Sequence, residues 1–208
     1  MPESSRAGSI GPTSIRWPDD SLAYRLIAVA PCVSEVVSAA GGWLFDRARS
    51  GWRIHVFTVD PVTAADTTSL EILGVETVAP LSALTSQELL CAAALAIDGE
   101  ILGGGTLLAQ RVYALVQHGA TEVVVWGAMP ARLKKQCVEV RQTSFSKASR
   151  VFKARALSVV GGTASADSVP DEIFGRVASP ILRYHSDLRV ADNRQVNTNV
   201  LPTRYRRA

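Results

Sequence analysis

Residues 25–60, RLIAVAPCVSEVVSAAGGWLFDRARSGWRIHVFTVD, contain the pattern that decides the fold. The apolar runs at 26–30 and 54–59 are too short for helices, and the second is rich in β-branched and aromatic residues, which predicts two buried strands. Between them, from about Ser34 to Ser50, apolar residues recur near helical spacing. The stretch therefore predicts a βαβ unit with parallel strands and a right-handed crossover.

The loop that follows the first predicted strand, from Pro31 to Glu35, is the first place to expect a functional site. In open α/β sheets, ligands bind in the crevice outside the carboxyl ends of the strands. Whatever chemistry these five residues carry is therefore expected to face a ligand.

The rest of the chain alternates strand and helix patterns, which predicts a Rossmann-like three-layer α/β sandwich with a mostly parallel sheet. Residues 1–20 mix Ser, Gly and Pro without periodicity and are predicted to form a flexible arm, so that 21–208 is a single domain. We predict helices at 86–97, 106–118, 131–157 and 171–177, and strands at 76–79, 121–126 and 181–184.

The composition is that of an ordinary globular protein: 208 residues with 47% hydrophobic and 20% charged residues are enough for one full core. No stretch approaches the roughly 18–20 apolar residues of a membrane span, and the N-terminus lacks a signal-peptide pattern. Three cysteines without a CxxC pair indicate a reducing compartment rather than a disulfide framework. We therefore expect a cytoplasmic protein without a membrane partner.

The net charge of +3 is unevenly distributed. Between positions 132 and 155 there are eight cationic residues and one acidic residue, Glu139. Such a segment could bind a polyanion. Aromatic residues are scarce around it and no known nucleic-acid-binding module matches, so a solvated face is the favoured interpretation and nucleic acid is not the expected partner.

The opening stretch resembles the PIG-L/LmbE-like zinc-dependent N-deacetylases, which remove acyl groups from N-acylglucosamine-type amines. Members of that family typically have a strand ending in A-P or A, then H-P-D-D-E, four residues, G-G, a helix and a second strand. Here RLIAVAP leads without a gap into Cys32-Val33-Ser34-Glu35-Val36, and Gly41-Gly42 follow four residues later. The resemblance implies the family's fold and, for an intact member, a zinc cofactor.

The chemistry that the resemblance implies is altered at every position. The family binds zinc through the first His and second Asp of H-P-D-D and the last His of a later H-P-D-H, and uses the first Asp as general base. By position these roles fall on Cys32, Glu35, Arg132 and Ser34, if Met129-Pro130-Ala131-Arg132 is the counterpart of H-P-D-H. A guanidinium cation repels a metal ion, and a serine hydroxyl is not a base at neutral pH without an activator. We therefore predict no metal ligand and no cofactor.

Each candidate residue also has a simpler interpretation. Cys32 could be a zinc ligand or a nucleophile at a helix N-terminus, or a small apolar residue that fills space. Ser34 is predicted to be the N-cap of the helix rather than a catalytic hydroxyl. Glu35 is expected to pair with Arg132 and plug the former metal site. If His185 lay beside Cys32, it could restore a ligand set or a Cys-His dyad.

Two function classes follow from these residues. The first is a catalytically degenerate deacetylase fold that binds a small molecule or a protein partner, with Met129 and Arg132 as candidate contacts. The second is an enzyme with a rebuilt site, which is either an N-acyl amide hydrolase acting on an amino-sugar-like substrate or a metal-free enzyme that depends on Cys32. Both remain open on the sequence, as does the oligomeric state.

Overall fold

The computed structural model describes residues 24–142, 146–162, 165–166, 169, 172–177 and 189–190. The predicted arm at 1–20, the predicted strand at 181–184 and the candidate site residue His185 lie outside the described residues. None of the described helices is both long enough and apolar enough to span a membrane.

The described secondary structure begins with the predicted βαβ unit and continues as an alternation of strands and helices. In chain order it comprises β1 (Arg25–Ala30), α1 (Val33–Arg49), β2 (Arg53–Thr58), α2 (Ala64–Ile72), β3 (Thr77–Pro80), a 3-10 turn (Leu81–Ala83), α3 (Ser86–Cys91), β4 (Ala94–Asp98), α4 (Leu107–His118), β5 (Glu122–Trp126), β6 (Cys137–Gln142), α5 (Lys147–Val159), β7 (Glu172–Val177) and β8 (Arg189–Val190).

The strands form one sheet in the order β3-β2-β1-β4-β5-β7-β6-β8. β3, β2, β1, β4 and β5 are parallel to one another, and β7, β6 and β8 add antiparallel pairings beyond β5. The chain leaves β1 toward β2 on one side and later returns to β4 on the other, so the topological switch point lies between β1 and β4. The predicted Rossmann-like α/β fold with a mostly parallel sheet is confirmed.

Helices cover both faces of the sheet, which gives three layers. Alternate strand residues such as Ala28 and Ala96 pack with α1, α2 and α5 in one apolar cluster, and their neighbours such as Val29 and Ile97 pack with α3 and α4 in another. Because β1 and β4 are buried on both faces, they are almost continuously apolar. The core therefore lies directly beneath the switch point.

The helix predicted at 86–97 is wrong in its second half. α3 begins with a capping box between Thr85 and Glu88 but ends at Cys91, and residues 94–98 form the fully buried strand β4. A short apolar run that is buried on both sides of a sheet has the same local pattern as a buried helix. Strand 121–126 is consequently the fifth strand and not the fourth.

The basic helix predicted at 131–157 is also wrong. Residues 137–142 form β6, and α5 begins only after Ser146, whose hydroxyl accepts a hydrogen bond from the Ser149 amide at 3.0 Å. The helix predicted at 171–177 is strand β7, which pairs antiparallel with β6 along its whole length. The cationic residues of this segment are therefore divided among a turn, a strand and a helix and do not form one helical face.

A buried ion pair connects α5 to β7, and its carboxylate is also hydrogen-bonded to α1. Lys153 Nζ on α5 lies 2.7 Å from Glu172 Oε1 on β7, and both side chains are fully buried. The Glu172 carboxylate also accepts hydrogen bonds from the Gly42 and Trp43 amides of α1, at 2.8 and 3.0 Å. Burial raises the pKa of Glu172, while the ammonium and the two amides oppose that effect. Nearby, a Cβ on Gly41 would lie 3.3 Å from Lys153 Cγ, so this part of α1 has little room for a side chain.

Candidate functional site

The loop after β1 lies at the carboxyl edge of the sheet and is tied to the loop after β2. The Pro31 carbonyl accepts hydrogen bonds from the amides of Val59 and Asp60, at 3.1 and 2.9 Å. The Thr58 hydroxyl closes the second loop on itself by donating to the Asp60 carbonyl at 2.9 Å. These contacts hold the start of α1 and Asp60 at the same edge.

Cys32, and not Ser34, occupies the N-cap position of α1. Its backbone is extended, with φ −144° and ψ 167°, and its side chain makes no capping hydrogen bond. Ser34 lies inside the first turn, where its Oγ is 3.1 Å from Cys32 Sγ. The prediction that Ser34 caps the helix is therefore wrong, because the N-cap lies two residues earlier, at Cys32. Among the described residues, the partner of the Cys32 thiol is this hydroxyl and not a histidine.

Three carboxylates lie near enough to Glu35 in the first turn of α1 to repel its charge, and we call the four together the acidic edge: Glu35, Asp60, Asp98 and Glu100. Glu35 is exposed in the first turn of the helix, where the helix dipole favours a negative charge. Partial desolvation raises the pKa of Glu35, and repulsion from Asp98, Glu100 and Asp60 raises it further. The site therefore concentrates negative charge at the switch point.

Asp98 is the residue of this edge that the sequence analysis did not select. It is the last residue of β4, is only 6% exposed, and accepts a hydrogen bond from the Glu100 amide at 2.7 Å through Oδ1. Its other oxygen, Oδ2, would be 3.4 Å from a Cβ on Gly127, so the backbone of the neighbouring loop packs against the carboxylate. The signal that could have found it is the short apolar run 94–97, which ends in an Asp-Gly turn.

Gly99 fixes how the loops after β4 and β5 meet. Its amide donates to the Trp126 carbonyl at 2.9 Å, and a Cβ at this position would collide with the Ala128 carbonyl oxygen. Only glycine permits this approach of two backbones. The Asp98-Gly99 pair therefore places a buried carboxylate beside the end of β5.

Arg132 does not close the acidic edge. Its guanidinium lies over the Tyr113 ring of α4, 4.6 Å from the ring centroid, and the side chain is exposed. No ion pair among the described residues joins it to Glu35. The predicted Glu35–Arg132 plug is therefore wrong, because Arg132 finds a cation–π partner on the helix that follows β4.

Met129 lies in a different environment, at a cavity lined by the end of β5 and the first half of β7. The methyl group of Met129 and the Cys137 thiol approach Gly175 so closely that a Cβ there would overlap both. Burial raises the pKa of the Cys137 thiol to about 11, so the thiol stays protonated at neutral pH. We call this space the β5–β7 cavity; its walls include Trp126, Met129, Lys134, Cys137, Ile173 and Gly175.

The residues at the family's zinc positions do not fit a zinc ion. Cys32 and Glu35 remain near each other at the start of α1, but the third position holds a guanidinium that stacks on Tyr113. Within the described part of the chain, no group of three or more His, Cys, Asp or Glu side chains is arranged to hold a metal ion. His185, which could have added a ligand, lies outside the described residues.

Fold and site thus define a Rossmann-like α/β protein with four carboxylates at the carboxyl edge of its sheet, near the switch point. A deacetylase triple mutant of the teicoplanin biosynthetic pathway matches with a TM-score of 0.49 at 13% identity, over 74% of this chain and 98% of that chain. N,N'-diacetylchitobiose deacetylase from Pyrococcus horikoshii matches with a TM-score of 0.46 at 9% identity, over 78% of this chain and 89% of that chain.

A third solved structure, 4-carboxy-2-hydroxymuconate hydratase from Pseudomonas putida, matches with a TM-score of 0.46 at 13% identity, over 82% of this chain and 99% of that chain. No protein-family model and no curated protein sequence matches the chain. The similar structures include deacetylases. Deacetylation is also the activity of the family that the opening stretch resembles. Similarity at these TM-scores and identities assigns neither a substrate nor a catalytic residue to this chain.

Proposed function

We propose that this protein binds a small, positively charged molecule at the acidic edge and does not carry out zinc-dependent N-deacetylation. The observation that carries the proposal is the set of four carboxylates at the switch point, Glu35, Asp60, Asp98 and Glu100, close enough to raise the pKa of Glu35. A ligand with a protonated amine would neutralise this charge in the crevice where open α/β sheets bind their ligands.

The loss of zinc chemistry is supported by the residues at the family's motif positions. A zinc hydrolase needs three protein ligands and a base that activates the metal-bound water. Here a cysteine and a glutamate are followed by an arginine at the third position, and the position of the base holds Ser34, whose hydroxyl contacts a thiol at 3.1 Å. These four substitutions remove the general base and one ligand together.

Asp98 adds support for a cationic ligand. It is more than nine-tenths buried, and only one of its carboxylate oxygens accepts a hydrogen bond from the described residues. The second oxygen, Oδ2, is not an enclosed atom without a partner among the described residues, so it stays accessible to a ligand. A ligand ammonium beside Glu35 would bind to it.

The test compares glucosamine with N-acetylglucosamine, which differ in the presence of the charged amine. We expect glucosamine to bind measurably by calorimetry, N-acetylglucosamine to bind at least tenfold more weakly, and Glu35→Gln to weaken glucosamine binding at least several-fold. Glu71→Gln, at an exposed position on α2, is the matched control and should leave binding unchanged.

Hydrolysis of N-acetylglucosamine, measured with metal analysis, decides between the two function classes. Hydrolysis that a chelator abolishes, with near one zinc per chain, would overturn the proposal in favour of a deacetylase. Chelator-insensitive hydrolysis that is lost in Cys32→Ala would instead establish the rebuilt, metal-free site. Equal binding of the two sugars would show that the acidic edge does not recognise an amine.

A further inference from the structure

We propose that a groove between α3 and α4 binds this chain's own N-terminal segment, residues 15–22, with the Trp17 side chain as the apolar anchor. We call it the α3–α4 groove; its walls include Leu89, Leu90, Arg111, Leu115 and His118. The segment, IRWPDDSL, precedes the described residues. The proposal narrows the expected flexible arm to residues 1–14, and it does not depend on the function proposed above.

The groove is apolar, and no described residue covers it. Leu89 and Leu115 form its floor and are 2% and 6% exposed, whereas Leu90 on its rim is 69% exposed. The volume is about 140 Å³, and an apolar cavity of roughly 150 Å³ is large enough for a benzene ring. One aromatic side chain can therefore bind here and remove Leu90 from water, which is favourable.

The N-terminal segment enters the fold beside α3. The carbonyl of Arg25, the first residue of β1, accepts a hydrogen bond from the Ala93 amide at 2.9 Å, and Ala93 lies three residues after Leu90. Because a chain spans at most about 3.6 Å per residue, the Cα of Leu90 lies within roughly 11 Å of that of Ala93, and Trp17 can lie up to about 29 Å from Arg25. The groove is therefore within reach of Trp17.

On the α1 side of this edge, Tyr24 already occupies the apolar surface. Its ring stacks on Trp52 with the centroids 5.1 Å apart, and the Arg47 guanidinium lies 4.2 Å from the Trp52 ring centroid. Arg47 is in turn paired with Glu122 at 2.9 Å. The residues before Tyr24 therefore have the α3–α4 groove as their open apolar surface at this edge.

The charges of the groove suit the N-terminal segment. Arg111 contributes a guanidinium, α4 has no acidic residue, and Glu88 of α3 is held in the capping box with Thr85. Asp19 and Asp20 follow Trp17 by two and three residues, which places acids next to the anchor. Residues 191–208 at the other end of the chain contain four arginines and one acid, so Arg111 would repel them.

A second copy of the chain is a weaker occupant of the groove. Leu90 is the large apolar side chain of the lining that is exposed. Stable interfaces between proteins bury roughly 1,200–2,000 Å² in total, which is far more than this one side chain can supply. A single aromatic anchor from a tethered segment needs no such area, because its attachment to β1 keeps it close to the groove.

Limited trypsinolysis of the full chain, followed by mass spectrometry, tests whether the groove protects the segment. Arg16 lies inside the proposed segment, and Arg6 lies outside it. We expect Leu90→Asp to raise the rate of cleavage after Arg16 at least tenfold and to leave cleavage after Arg6 unchanged. Leu107→Asp is the matched control, at a position on α4 that is 60% exposed and outside the groove, and should change neither rate.

Charge reversal tests the contact with Arg111. In the full chain labelled with ¹⁵N, the indole N–H signal of Trp17 is identified by its loss in Trp17→Phe. We expect its order parameter to be near 0.85 in wild type, about the value of a rigid N–H, and below about 0.6 in Arg111→Glu or in Asp19→Lys/Asp20→Lys. The triple variant should recover part of the order. Unchanged signals of Trp43 and Trp126 show that the fold is intact.

The proposal is overturned if the two leucine variants affect cleavage after Arg16 alike, or if the charge-reversed variants keep the order of wild type. A dimer that Leu90→Asp converts to a monomer would overturn it in favour of a second copy as the occupant. Protection of Arg194, lost in Leu90→Asp, would assign the groove to the C-terminal segment instead. None of these results depends on whether glucosamine binds at the acidic edge.

Discussion

His55 is a buried ionisable residue whose titration makes the stability of the protein depend on pH. It lies on β2 with 2% of its surface exposed, and its Nδ1 is 2.6 Å from the Thr77 hydroxyl oxygen. Burial, together with the positive charges of Arg53 and Arg25, lowers the pKa of His55 to about 4. The ring is therefore neutral in the folded protein at any pH near neutrality.

We expect the free energy of unfolding to fall as the pH is lowered from about 6.5 to 4. In this window the unfolded chain binds a proton at His55 that the folded chain does not, so the stability present above pH 6.5 is lost progressively. The loss from this one residue is up to about 2–3 kcal/mol. Urea denaturation at a series of pH values measures it.

His55→Asn removes the titrating group and should flatten this part of the pH profile. His118→Asn, at an exposed position at the end of α4, is the control and should keep the wild-type profile. An equal loss of free energy of unfolding in wild type and His55→Asn between pH 6.5 and 4 would contradict the assignment.

At the scale of elements, the first βαβ unit could be predicted from the sequence and later strands could not. The predicted helix from about 34 to 50 is observed at Val33–Arg49, because its amphipathic spacing and its flanking apolar runs are local features. β4 was missed because it is central and buried on both faces, so its sequence lacks alternation. That error also hid Asp98, whose place in the site depends on β4 being a strand.

Local sequence patterns could not predict the pairing of β6 with β7, for a different reason. The two strands are separated in sequence by α5, and each is stabilised by the other through antiparallel pairing. The intervals between Leu133, Cys137 and Val140 are four and three residues, which is helical spacing, and the partner that selects a strand instead is about 35 residues away. β propensity is decided by such contacts more than by the residues themselves.

The same pairing brings Glu172 beneath α1, which makes the Lys153–Glu172 ion pair a connection among β7, α5 and α1. We expect Lys153→Met to lower the free energy of unfolding by about 3–5 kcal/mol, since it leaves a buried carboxylate without its cation. Urea denaturation of the two proteins measures the difference. Lys147→Met, at an exposed position on the same helix, is the control and should cost less than about 0.5 kcal/mol.

The double variant Lys153→Met/Glu172→Gln separates loss of charge pairing from loss of packing. A neutral amide at position 172 keeps an acceptor for the α1 amides without a buried charge, so the double variant should recover part of the stability lost in Lys153→Met. If the double variant is less stable than Lys153→Met alone, the unpaired carboxylate is not the cause of the loss.

Across the whole molecule, charge of opposite sign is separated along the carboxyl edge of the sheet. The acidic edge lies over β1, β2 and β4, and the cations Lys134 and Arg132 lie in the turn after β5. Carboxylates gathered at one site repel each other in the folded state and are much less crowded in the unfolded chain. A site of this kind lowers stability at neutral pH, as binding sites often do.

This cost predicts that Glu35→Gln raises Tm at neutral pH while it weakens binding of an amine. The pKa of Glu35 is raised above its ordinary value of 4.5, so its carboxyl group favours folding only when protonated. That contribution is fully present below about pH 4.5 and is lost as the pH rises through the folded-state pKa. The glutamine does not ionise, so its advantage should be present at pH 7 and disappear near pH 4. Calorimetric Tm values of wild type and variant at the two pH values test this.

The control for this prediction is Glu71→Gln on α2, which removes the same charge away from the acidic edge and should change neither the pH dependence of Tm nor amine binding. A second variant, Asp98→Asn, should lower the pKa of Glu35 toward its ordinary value, because among the three neighbouring carboxylates Asp98 raises that pKa most. An NMR titration of the Glu35 side-chain carboxyl carbon measures that pKa directly. If Asp98→Asn leaves the pKa of Glu35 unchanged, the two carboxylates do not share one site, and the amine proposed to bridge them has no basis there.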